Sequence, residues 1–142
     1  MTTQPDARPA RLFYDRDADL GRLASRRIAV LGFGSQGHAH ALNLRDSGLE
    51  VVVGLRPESN GVTAARRAGL PVMPVAEAVA GAGVVMVLVP DPVHRTLFEA
   101  EIGPNLTPGA TLLFAHGFSV RFGQVSLPDD VDVGLVAPMP LA

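Results

Sequence analysis

The 142-residue chain is 47% hydrophobic, enough for one core of ordinary domain size. Its 12 Lys and Arg against 14 Asp and Glu give a net charge of −2 with no like-charge block, so composition offers no electrostatic basis for nucleic acid or an anionic membrane as partner. It has no cysteine, which excludes disulfides and thiolate metal sites.

The opening "MTTQPDARPARLFYDRDADL" is polar and lacks the apolar stretch of a secretory signal, so residues 1–13 are expected to be a flexible tail and the protein a soluble, cytoplasmic one. Strand-length apolar runs then follow at Arg27–Leu31, Glu50–Leu55, Pro71–Met73, Val84–Val89, Thr111–Ala115 and Val131–Val136. Helical patterns separate them at about Ser35–Ser47, closed by Gly48, and at Thr63–Ala68, Val75–Ala80 and Val93–Ile102. Strands apolar at nearly every position, alternating with short helices, predict a parallel sheet covered on both faces. The expected fold is therefore α/β, a doubly wound, mostly parallel sheet of the Rossmann kind in one domain, residues 14–142.

Between the first strand and the first helix stands "GFGSQG", with Gly32, Gly34 and Gly37 in the spacing G-x-G-x-x-G. Directly after a strand and opening a helix, Gly32 can make the tight turn and Gly34 can admit a pyrophosphate. Gly37 can let the helix pack on the strand, while the helix N-terminus offers free N–H groups to phosphate. The competing reading is a plain turn that binds nothing. After the second strand, "GLRPESN" supplies Arg56 and Ser59, which suit the 2′-phosphate of NADP, and Glu58, which would repel it or accept from a ribose hydroxyl. The alternative there is a solvated loop.

Three stretches carry a family resemblance: "YDRDADLGRLASRRIAVLGFGSQGHAHALNLRDSGLEVVVGLR", "PDPVHRTLFEAEIGPNLTPGATLLFAHGF" and "DVDVGLVAP". From about Tyr14 to Pro138 the chain resembles the N-terminal domain of ketol-acid reductoisomerase, also called acetohydroxyacid isomeroreductase. That family uses NADPH and two Mg²⁺ ions to rearrange and reduce 2-acetolactate or 2-aceto-2-hydroxybutyrate in branched-chain amino-acid biosynthesis, the acidic metal ligands coming from a helical C-terminal domain. The resemblance implies that Gly32, Gly34, Ser35, Gln36 and Gly37 hold the pyrophosphate and that Arg56 and Ser59 hold the 2′-phosphate. It also puts Pro90 and Asp91 beside the nicotinamide, with His116 as the active-site histidine. Three stretches depart from the family pattern. "HGFNIHFG" reads "HGFSVRFG", with Ser119 and Arg121; a second loop serine is replaced by Gly61; and "APKGPGH" becomes "APMPLA", with Met139 in place of an active-site lysine.

Other polar residues have plainer readings. His38 and His40, about 200° apart on a helix, cannot share a metal ion. Asp91, between two prolines, is expected to cap the helix that follows it. Glu99 and Glu101 diverge, and Asp129, Asp130 and Asp132 lie in a loop and strand, so no carboxylate pair for Mg²⁺ is expected. The expectation is an NADP(H)-binding domain, inactive alone, whose partners are the nucleotide and either a separate helical domain, a full-length relative or itself. The alternatives are a stand-alone binding module, a metal-free, deazaflavin-dependent NADP oxidoreductase and a functionless remnant.

Overall fold

The computed structural model describes residues 9–138. Six strands alternate with helices: β1 (Ile28–Leu31), α1 (Ser35–Asp46), β2 (Val51–Gly54), α2 (Gly61–Arg67), β3 (Val72–Met73), α3 (Val75–Val79) and β4 (Val84–Val87). There follow α4 (His94–Leu97), β5 (Thr111–Phe114), α5 (Phe118–Arg121) and β6 (Asp132–Leu135). The strands form one sheet in the order β3-β2-β1-β4-β5-β6, and every neighbouring pair is parallel. This is the dinucleotide-binding arrangement, in which the order reverses between β1 and β4 and opens a crevice at the carboxyl ends of those strands.

Strand pleating sends alternate side chains to opposite faces. Ile28 and Val30 join Val51, Val53, Val84 and Met86 on one face, under Ala41 of α1 and Ala65 of α2. Ala29 and Leu31 join Val52, Val85, Val87, Leu112 and Phe114 on the other, against Val75, Ala78 and Val79 of α3 and against Phe98 and Ile102. With both faces covered, β1, β2 and β4 are buried at every position. That is why they read as unbroken apolar runs. Each such Val or Leu contributes roughly 1.5–3 kcal/mol on burial.

Several elements differ from their sequence reading. The helix expected over Val93–Ile102 is three pieces: a 3₁₀ turn at Asp91–Val93, α4, and a π turn at Phe98–Ile102. Helix α2 starts at Gly61 rather than Thr63. The short helix α5 has no counterpart in the periodicity reading, because four residues cannot establish a 3.6-residue pattern. The largest correction is β6, expected to be a covered strand: Asp132, Val133 and Leu135 are exposed. The sheet is covered on both faces only at its centre. Of the expected N-terminal tail, residues 1–8 lie outside the described residues, and 9–13 are exposed without helix or strand.

Candidate cofactor-binding site

The turn from β1 into α1 is dictated by its glycines. Gly32 adopts φ +98°, and a Cβ there would come within 2.9 Å of the Leu88 carbonyl oxygen. At Gly37 a Cβ would lie 2.2 Å from the Gly32 carbonyl oxygen, so only glycine lets α1 descend this closely onto the turn. Gly34 is different. Its φ is −78° and, among the described residues, nothing beyond its chain neighbours lies within 4 Å of a Cβ built on it. The fold itself makes no steric demand for glycine there; a group seated in the crevice would. Gly34 is the N-cap of α1 and makes no side-chain cap, which leaves the first-turn N–H groups without a side-chain partner.

A crevice of about 800 Å³ runs over this turn. Gly32, Gly34, Ser35 and Gln36 form its floor, Arg56 and Ser59 line it after β2, and Pro90, Asp91 and His116 line it after β4 and β5. Nine sequence-nominated residues from four separate segments thus meet in one cavity, whereas Gly37 is buried beneath it as a packing residue. Val75 of α3 and Thr96, Leu97 and Ala100 along the segment after β4 also line it and were not singled out from sequence, as does Glu101, which the sequence reading weighed only as a metal ligand. No local motif marks them. Their place is set by how two crossover segments fold over the sheet.

After β2, the Arg56 guanidinium approaches Glu58, with Nε 3.8 Å from Oε1, and both side chains are about 70% exposed. An exposed pair of this kind is held weakly and can reorganise around an anion. Ser59 Oγ accepts from the Gly61 N–H at 3.3 Å. The glycine at 61 has a packing reason, since a Cβ there would lie 3.1 Å from Phe33 Cβ and 3.3 Å from Leu55 Cδ1.

At the opposite end Asp91 does not cap a helix as expected. Pro90 stands at the N-cap, no side-chain cap is formed, and the Asp91 carboxylate instead faces two imidazoles. Its Oδ2 lies 3.5 Å from His116 Nδ1 and its Oδ1 lies 3.8 Å from His94 Nε2. His116 is exposed, and its Nδ1 accepts from the Phe118 N–H at 3.2 Å. Ser119 is fully buried and bonds His94 Nδ1 at 2.7 Å. His94 itself is buried and was not nominated from sequence. His38 packs edge-on against Phe33 at 5.3 Å, and among the described residues no three His, Asp or Glu side chains gather as a metal site. Met139 lies outside the described residues.

The acetohydroxy acid isomeroreductase NADPH-binding domain model matches residues 22–140. The chain is 53% identical over 129 residues to ketol-acid reductoisomerase (NADP(+)) 2 of Bifidobacterium longum, covering 91% of this chain and 37% of that protein. The NADH-preferring ketol-acid reductoisomerase of an uncultured archean superposes with a TM-score of 0.86 at 38% identity, over 92% of this chain and 41% of that one. A putative NADP oxidoreductase of Bacteroides fragilis, 21% identical with a TM-score of 0.64 over 82% of this chain and 45% of its own, shares the fold alone. The chain spans less than half the length of these relatives. By the family model, which covers most of its length, and by these two reductoisomerases, the chain belongs to the acetohydroxy acid isomeroreductase (ketol-acid reductoisomerase) family and corresponds to its NADPH-binding domain.

Proposed function

We propose that the crevice holds NADP(H) in one orientation, with the pyrophosphate on Gly34, Ser35 and Gln36, the 2′-phosphate at Arg56 and Ser59, and the nicotinamide beside Pro90, Asp91 and His116. The observation that carries this reading is Gly34, a glycine that no neighbour among the described residues requires, at the start of an uncapped helix whose first residues, Ser35 and Gln36, line the crevice. The bound cofactor would supply a hydride. Arg56 contributes a guanidinium that can fork onto a phosphate, and Glu58 competes for that guanidinium. His116, exposed beside a carboxylate, is placed to hold or pass a proton to an oxygen of the substrate.

In this reading the domain is the cofactor half of a Mg²⁺-dependent isomerisation and reduction of 2-acetolactate in the cytoplasm. The metal ligands belong to a helical domain, supplied by further sequence, a separate chain or a full-length relative. Phe118 of α5 and Phe122 just after it, whose rings pack on each other, and Val133 and Leu135 of β6 are exposed apolar side chains that such a domain, or a second copy of this one, would cover. The test is titration of NADPH and NADH, followed by NADPH consumption with 2-acetolactate and Mg²⁺, with and without the isolated helical domain of a relative. NADPH binding tighter than NADH, and turnover only with the added domain, are expected. Equal binding of both cofactors would give the preference to Glu58, and turnover by the 142-residue chain alone would refute the division of labour.

A further inference from the structure

Beneath the nicotinamide end of the crevice lies a polar pair that the reading above does not use. His94 is 2% exposed and Ser119 is 0% exposed. His94 Nε2 is 2.8 Å from the Val89 carbonyl oxygen, and Nδ1 is 2.7 Å from Ser119 Oγ. A carbonyl can only accept, so Nε2 carries a proton, and in the Nε2-protonated tautomer Nδ1 accepts from the Ser119 hydroxyl. Every polar atom of the ring is matched in this one tautomer. The Phe114 ring packs 5.9 Å away and closes the apolar side.

The two anchors sit under different loops. Val89 immediately precedes Pro90 and Asp91, and Ser119 lies in the first turn of α5, just past His116 and Gly117. Above them the Asp91 carboxylate and the His116 ring stand 3.5 Å apart, with His116 68% exposed and bonded within its own loop only to the Phe118 N–H. An exposed ring with one 3.2 Å bond does not fix its own position. The fully satisfied buried pair below it can.

We propose that His94 and Ser119 are positioning residues that tie the Asp91 loop to the His116 loop and so set the distance between the Asp91 carboxylate and the His116 imidazole. The structural part of this inference stands on the protein alone; its consequence for a ligand rests on the cofactor reading above. Hence two kinds of measurement are needed.

The first is imidazole ¹H–¹⁵N NMR of the cofactor-free chain. Wild-type His94 is expected to show a neutral ring protonated on Nε2. Ser119→Ala and His94→Phe should shift the His116 ring signals while leaving the Ser35 and Gln36 amide signals in place. His94→Gln, whose amide offers one donor to Val89 and one acceptor to Ser119, should keep the wild-type His116 signals. The second is titration with NADPH and with 2′,5′-ADP, which has no nicotinamide. Ser119→Ala should weaken NADPH about tenfold, the scale of one buried hydrogen bond, and change 2′,5′-ADP by less than about twofold. A His94 ring protonated on Nδ1, unmoved His116 signals in folded Ser119→Ala, or His94→Gln shifting them as His94→Phe does would each overturn the proposal. Should wild-type bind neither nucleotide while the His116 signals respond as expected, the positioning role stands and the cofactor reading falls.

Discussion

The centre of the sheet and its β5–β6 edge share valine and leucine side chains that live in different surroundings. In β1, β2 and β4 every residue is buried, with helices on both faces. In β5 the pattern alternates, Leu112 and Phe114 buried and Thr111 and Leu113 only partly covered, and in β6 Val133 and Leu135 are 42% and 59% exposed. Valine and leucine occur in both places, so hydrophobicity is not what separates them. The difference is which strands have a helix over them. The covered half builds the glycine turn and the Arg56 end of the crevice; the uncovered edge abuts the end that carries His116.

The sharpest way to break this comparison is to truncate one leucine from each half. Leu31→Ala, in β1, removes a fully buried side chain and should cost about 2–5 kcal/mol, read as a lowered midpoint in urea denaturation. Leu135→Ala should stay within about 0.5 kcal/mol of wild type. Equal losses would mean that β6 is covered in solution.

Within the covered half, Gly37 and Gly34 separate fold from ligand. Gly37→Ala drives a methyl group into the Gly32 carbonyl and is expected to destabilise by about 3 kcal/mol, the upper end for overpacking. Gly34→Ala meets no protein atom within 4 Å, so its melting temperature should be near wild type while nucleotide affinity falls. A Gly34→Ala variant that binds NADPH normally would remove the main support for phosphate at this turn.

Arg56→Ala tests the far end of the crevice. Loss of a charge-assisted contact of about 1.5–3 kcal/mol corresponds to roughly ten- to a hundredfold weaker NADPH binding. NADH should change little, since it lacks the phosphate. Glu58→Gln, which frees Arg56 from its 3.8 Å partner, should move NADPH affinity the other way by a smaller factor. Isothermal titration with both cofactors reads all four values.

The smallest expected effect is at the edge strand. Val133→Lys and Leu135→Lys place charge on an exposed apolar edge and should reduce hydrophobic-dye binding and self-association in gel filtration, with no gain or loss in nucleotide affinity. Dye binding unchanged by both substitutions would locate the apolar surface elsewhere.

Much of this protein is written locally. Six apolar runs of strand length are six strands, in β1, β2 and β4 because burial on both faces leaves no room for polar alternation, and a missing Cβ at Gly32 and Gly37 is a requirement of the turn's own geometry. The nomination of Gly34, Arg56 and Ser59 likewise rests on one loop and its neighbour, within a single β-α-β unit, and the family resemblance adds Ser35 and Gln36 in the same loop. Tertiary structure alone decided what depends on distant segments meeting. The strand order brings β4 and β5 side by side, and only then does Asp91 face His116 rather than cap a helix, and only then do His94 and Ser119, 25 residues apart, share a buried hydrogen bond. Periodicity likewise made β6 a covered strand, because an apolar run records that a surface can be buried; whether a helix or another domain lies over it is a property of the assembled layers, and over β6 the described residues supply none.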